Sequence, residues 1–158
     1  MESLTFYTHE QYQYVKGSRK VLFDYCETIS SEDFVDQNTS FGRGGSIRNL
    51  LVHIANTYEY WIANHVLQKN KIYTEFETCT TIKDVKILFE SVDDFMAEFI
   101  SKIEQLEKTV FENPNALNAT KPFQLFSHVI THEYHHKGQI LSLSRHLGYT
   151  PIDTDIMR

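Results

Sequence analysis

Thr131-His132-Glu133-Tyr134-His135-His136-Lys137-Gly138-Gln139 lies within an apolar pattern that steps through Leu125, Val129, position 132, position 136, Ile140, Leu143 and Leu147. Steps of three and four residues keep one face of an α-helix turned inward. Two of those inward positions carry imidazole instead of hydrocarbon. A polar ring on a core stripe needs a partner, because an unpaired polar group there costs about 1–3 kcal/mol. Two imidazoles one helical turn apart, facing the same way, can share one metal ion.

The same period extends outward from this segment. A final helix begins near Pro122 and stops at Gly148, with Arg145 and His146 in its last turn. Before it, Ile82, Val85, Phe89, Val92, Met96, Phe99, Ile103, Leu106 and Val110 form the most regular stripe in the chain. That stripe is a bundle seam, with Lys83, Asp84, Glu90, Asp94, Glu98 and Lys102 on its solvent face, and Asn113-Pro114-Asn115 ends it. Earlier still, Ser46 is a strong N-cap for a helix whose apolar side reads Ile47, Leu50, Leu51, Ile54, Tyr58, Trp61, Ile62 and Val66. A first helix from about Thr8 to Ile29 turns Tyr14 or Val15, Ser18, Val21 with Leu22, Tyr25 and Ile29 inward. Ser30 to Gly45 reads as a connection pinned by Phe34 and Phe41 and broken by Gly42, Gly44 and Gly45.

Asn70 to Thr81 has no sustained period. Twelve extended residues span up to about 40 Å, and a helix of about 22 residues is about 33 Å long. The connection can therefore run the length of a bundle and make the second and third helices parallel.

Composition narrows the function. The 158 residues suffice for one domain with its own core, assigned here to 1–158, and six glycines and three prolines favour an all-α chain. A net charge of −6 with scattered basic residues disfavours nucleic acid as a partner. No apolar run approaches the roughly 18 residues of a membrane span. Met1 to Tyr14 has no secretory pattern, and Cys26 and Cys79 form no CxxC pair, so the expected compartment is cytoplasmic. The anomaly is histidine: there are eight, four of them between 128 and 136.

His132 to His136 spells HExxH, the pattern in which zinc proteases use the glutamate as general base. The longer protease pattern needs glycine at 139 and histidine at 142, where this chain has Gln139 and Ser142, and no strand signal supplies a substrate-binding sheet. Glu133 therefore reads as a solvated carboxylate or as one supporting a ligand from behind. His53 is the best third ligand, since it lies mid-helix beside a buried face. His65 and His9 lie nearer element ends, with His65 placed within reach of water. His128, one turn before His132, is a further candidate, and His135 and Lys137 are expected at the surface.

One histidine in a second helix and HxxxH-[RK]-G-Q in a fourth resemble the DinB/YfiT-like metalloenzyme superfamily. The resemblance rests on Ser46-Ile47-Arg48-Asn49-Leu50-Leu51-Val52-His53-Ile54-Ala55, on Glu59-Tyr60-Trp61, on His132 through Ile140, and on Leu147-Gly148-Tyr149-Thr150-Pro151. It spans essentially the whole chain, and Lys137 stands where arginine is frequent. It implies an all-α, four-helix bundle of up-down-down-up order with a long crossover between helices 2 and 3. It implies a divalent ion, Ni²⁺ or Zn²⁺, held by His53, His132 and His136, and often a homodimer. It also implies a small-molecule substrate and, in some members, a low-molecular-weight thiol cosubstrate.

Three neutral ligands leave the ion its full charge and open positions. A thiol bound there ionises readily, and a bound water can have its pKa lowered to about 7. Chiefly through the resemblance, the expected activity is thiol transfer, in which a metal-bound thiolate attacks a small electrophile. Hydrolysis by a metal-bound hydroxide is the alternative, and a metal-binding module without catalysis is a third. Glu59, Tyr60 and His128 are candidate proton donors or orienters.

Overall fold

The computed structural model describes residues 2–39, 45–109, 111–112 and 119–158. Helix α1 spans Leu4–Cys26 and starts a turn earlier than the apolar pattern suggests, because Ser3 caps it by accepting from the Phe6 N–H. Val15, Ser18, Leu22, Tyr25 and Ile29 are buried as expected, whereas Tyr14 is exposed. The same face also buries Tyr12 and Arg19. A short helix α2, Ser31–Val35, replaces part of the expected connection, and its Phe34 is buried. Phe41, Gly42 and Gly44 lie outside the described residues, as do Val110 and Asn113-Pro114-Asn115.

Ser46 caps α3, Ile47–Tyr58, by accepting from the Asn49 N–H. The helix then continues as a π-helical segment, Glu59–Val66, which the sequence pattern does not distinguish from α-helix. Ile47, Leu50, Leu51, Ile54, Tyr58 and Ile62 are almost fully buried.

After Val66 the chain doubles back along the helix it has just left. Lys71 pairs with Asn64 through two hydrogen bonds, and Thr74 pairs with Asn56 in the same way. Partner numbers fall as the connection advances, so its path runs toward the start of α3. One 3-10 turn, Phe76–Thr78, precedes α4, Ile82–Leu106. Helix α4 opens with a capping box: Thr81 accepts from the Asp84 N–H while the Asp84 carboxylate accepts from the Thr81 N–H. Helix α5, Pro122–His146, starts with proline in its first turn and ends before Gly148, whose φ is +96°.

Helix α1 packs on α4, and α3 packs on both α4 and α5, around one apolar core. Among the described residues there is no strand, only an isolated antiparallel bridge between Phe111 and Thr120. No helix among them is long and apolar enough to cross a membrane. The C-terminal tail folds back on the bundle. The Tyr149 hydroxyl donates to Asp33 of α2, and the Thr154 carbonyl accepts from Ser18 and Lys137.

Candidate metal centre

The α5 stripe turns His132 and His136 toward α3, and His53 meets them there. The ligand-capable atoms of the three rings lie within 4.8 Å of one another. Their Nε2 atoms converge: His132 is 3.2 Å from His53 and 3.0 Å from His136. His136 is buried, and His53 and His132 are half-buried, so the group sits at the edge of the core.

The proton inventory of these rings favours a cation between them. His136 Nδ1 lies 2.6 Å from Gln139 Oε1, an acceptor, so the neutral ring carries its proton on Nδ1 and presents a bare Nε2 lone pair. Burial, followed by the neighbouring His136 and His53, pushes His132 down to about 3, which keeps its ring neutral at physiological pH. A proton on His132 Nε2 has two nitrogen neighbours at bonding distance, and its Nδ1 is buried without a hydrogen-bond partner. One divalent ion among three bare Nε2 atoms would relieve that crowding. The donor set of three imidazoles suits Zn²⁺ or Ni²⁺.

Gln139 orients the site. Its oxygen faces His136, and its amide nitrogen lies 3.4 Å from His135 Nε2. His135 is exposed, as expected.

Two expectations for this helix need correction. Lys137 is buried: its ammonium donates to Ser18 and Thr154 and lies 3.8 Å from the centre of the Tyr134 ring. Glu133 is also buried, and its oxygens accept from Arg19 Nε at 2.8 Å, Arg19 Nη2 at 2.9 Å and the Tyr58 hydroxyl at 2.6 Å. Arg19 also donates to Asp93, which accepts from the Tyr12 hydroxyl. The glutamate of the HExxH pattern is thus committed to an internal ion-pair network. A signal for it existed: Tyr12, Val15, Arg19, Leu22 and Cys26 step by three and four, which puts an arginine in the middle of a buried stripe.

The remaining candidates divide. His9 stays at the surface beside Glu10 and Gln13. His65 is half-buried, and its Nε2 is buried without a hydrogen-bond partner. His128 lies next to His132, with ring centres 5.9 Å apart. Glu59 is buried, and burial raises its carboxyl above the usual range, with Lys71 partly offsetting this. Tyr60 is half-buried against Trp61.

A family model described as the DinB family matches residues 1–158. The crystal structure of a DinB-like protein, YjoA, from Bacillus subtilis aligns with a TM-score of 0.60 at 20% sequence identity. The alignment covers 89% of this chain and 96% of that one. At that identity the likeness speaks for the fold alone. No curated protein matches the sequence.

Proposed function

Since the chain belongs to the DinB family, we propose that His53, His132 and His136 ligate one divalent ion, Ni²⁺ or Zn²⁺, in a metal-dependent enzyme. The observation that carries this reading is the convergence of three Nε2 atoms from two helices, at 3.0 and 3.2 Å. The reaction proposed is attack of a low-molecular-weight thiol, as its thiolate, on a small electrophile: the S–H proton goes to solvent, a new C–S bond forms, and the electrophile's leaving group departs. A bound ion with three neutral ligands would supply a strong positive field that favours the thiolate form of that cosubstrate. The chain's own contribution is placement: Gln139 fixes the His136 ring, and burial keeps His132 neutral at physiological pH.

A protease-type reading is disfavoured by Glu133, whose two oxygens are already occupied by Arg19 and Tyr58. The proposal includes the finer architecture: one domain of four long helices in up-down-down-up order. The 67–81 connection is its crossover, a path supported by the Lys71–Asn64 and Thr74–Asn56 pairs. A homodimer in the cytoplasm completes it.

Elemental analysis of the purified protein, beside His53→Ala, His132→Ala and His136→Ala, tests the ligand set. Near-stoichiometric metal in the parent and little in each variant is expected. Unchanged metal in all three variants would remove these residues as ligands. Loss of free thiol in the presence of an alkyl halide, dependent on added metal, tests the reaction. Metal-dependent ester cleavage without thiol would replace transfer by hydrolysis.

A further inference from the structure

The π-helical segment Glu59–Val66 changes what α3 shows to the candidate centre. In an unbroken α-helix each residue turns about 100°, so His65 would sit roughly 120° away from His53 around the axis. The wider i→i+5 turns of a π-helix advance each residue by a smaller angle. The lag accumulates over this segment, and the His65 ring comes to lie against Trp61, which meets His128. The bond from the Leu67 N–H to the Ile62 carbonyl, at 3.0 Å, belongs to this wider pattern.

The outcome is a row of rings leading away from the three histidines. His132 touches His128 at 5.9 Å between ring centres, His128 meets Trp61 at 5.7 Å, and Trp61 meets His65 at 5.6 Å. Phe111 closes the row against His65 at 5.9 Å. Trp61 and His65 are half-buried and His128 is exposed, so one side of the row faces outward.

Packing alone does not explain this choice of rings. Edge-to-face contacts stabilise by about 0.5–1.5 kcal/mol, and phenylalanine or leucine would give comparable packing without polar atoms. Here His65 Nε2 is buried without a hydrogen-bond partner, and the rings of Trp61 and His128 make no hydrogen bond among the described residues. Three ring systems with unused polar edges, beside a site for a reactive group, have the composition of a binding wall.

We propose that Trp61, His65 and His128 recognise the substrate, and that it carries a flat aryl or heteroaryl ring with a polar substituent. The ring would lie against the indole, with His65 packed behind it and the substituent meeting the exposed His128 imidazole. The placement of the substrate's reacting end rests on the metal reading of His53, His132 and His136; the recognition of the ring does not.

Trp61 is the chain's single tryptophan, so its fluorescence reports on this wall. Benzamide and cyclohexanecarboxamide carry the same amide on a flat and a puckered ring, and neither is a strong chelator. Titrated into the full-length protein, with and without added Zn²⁺, benzamide is expected to change Trp61 emission saturably. The saturated amide is expected to bind at least tenfold more weakly. His65→Leu and His128→Leu are expected to weaken benzamide binding at least tenfold. Equal affinity for both amides, or no saturable response to benzamide, would overturn the proposal, and that comparison needs only the parent protein. Variants that stay folded and bind benzamide like the parent would overturn it too. Benzamide binding by a protein that takes up no metal would sink the metal centre and leave the wall standing; metal uptake without ring preference would do the reverse.

Discussion

Arg19 and Glu133 face each other inside the bundle as a two-pronged ion pair, with nitrogen–oxygen distances of 2.8 and 2.9 Å and side chains only 4% and 6% exposed. Burial works against the arginine's charge, and Glu133 more than offsets it, holding the pKa of Arg19 above its ordinary value. The pair joins α1 to α5 one residue from His132, so it also fixes the rotation of the helix that carries two of the three histidines.

Removing one member leaves a buried charge without its partner. Arg19→Met is expected to cost about 3–5 kcal/mol in chemical denaturation. Arg19→Met with Glu133→Leu is expected to recover much of that loss, since apolar replacement of both partners is often neutral or better. A double variant as unstable as the single one would mean the pair itself was not the source. Glu133→Gln that stays folded should bind as much metal as the parent, because the carboxylate does not face the three rings.

Gln139 aims His136. Gln139→Leu deletes the acceptor for Nδ1, and the loss of such a support commonly lowers metal affinity about 10–100-fold. Competition with a chelator of known affinity measures this. Gln139→Glu keeps an oxygen at the same reach and should retain most of the binding. Equal weakening in both variants would contradict an orienting role.

Two glycines should respond with opposite signs. Gly17 lies inside α1, and a Cβ there would meet nothing within 4 Å. Gly17→Ala should therefore stabilise by about 0.5–1 kcal/mol through helix propensity. Gly45 precedes the cap of α3 with φ +71°, and a Cβ there would come within 2.9 Å of the Thr39 carbonyl. Gly45→Ala should be destabilising, with thermal melting of the two variants shifting in opposite directions.

The parts of this molecule that follow a strict period could be read from the sequence. The α4 seam, the Ser46 cap and the inward turn of His132 and His136 all depend on local chemistry repeated every three or four residues. His53 was a candidate from its place mid-helix beside a buried face, and the resemblance fixed the choice, because nothing local states which face of α3 meets α5. Burial of Glu133 and Lys137 was missed for a different reason. A charged residue reads as surface until its partner is known, and the partners, Arg19, Ser18 and Thr154, are more than 100 residues away or in the tail. The π segment left no trace in the pattern, since Ile62 and Val66 satisfy either helical period.

Asp84 makes the start of α4 sensitive to acid. Backbone and side-chain hydrogen bonds from Thr81 hold its carboxyl below the usual range. The folded-state pKa is thus lower than the unfolded one. Its stabilisation is present above the unfolded carboxylate range and is lost as pH falls through the folded pKa. Asp84→Asn should remove this share of the acid dependence. The melting temperatures of parent and variant should converge as pH drops from about 6 toward about 3. A gap that stays constant over that window would assign the cap no role in acid sensitivity.

The burial of Lys137 has a definite geometric purpose. Its ammonium donates to the Ser18 hydroxyl and, at 3.0 Å, to the Thr154 carbonyl, which Ser18 also reaches. Burial lowers the amine's pKa, and Glu133 offsets part of that. The arrangement pins a tail with no helix of its own across α1 and α5. Methionine at 137 would keep most of the packing and remove the charged donor. Lys137→Met is therefore expected to cost about 1.5–3 kcal/mol, the range for a hydrogen bond to a charged group. Amide exchange should accelerate at 152–156 before it does in the bundle. Ser18→Ala should do the same more weakly, because the ammonium can still hold Thr154. If Lys137→Met exchanged at the parent's rate throughout the tail, Pro151 and the Tyr149–Asp33 bond would be holding it instead.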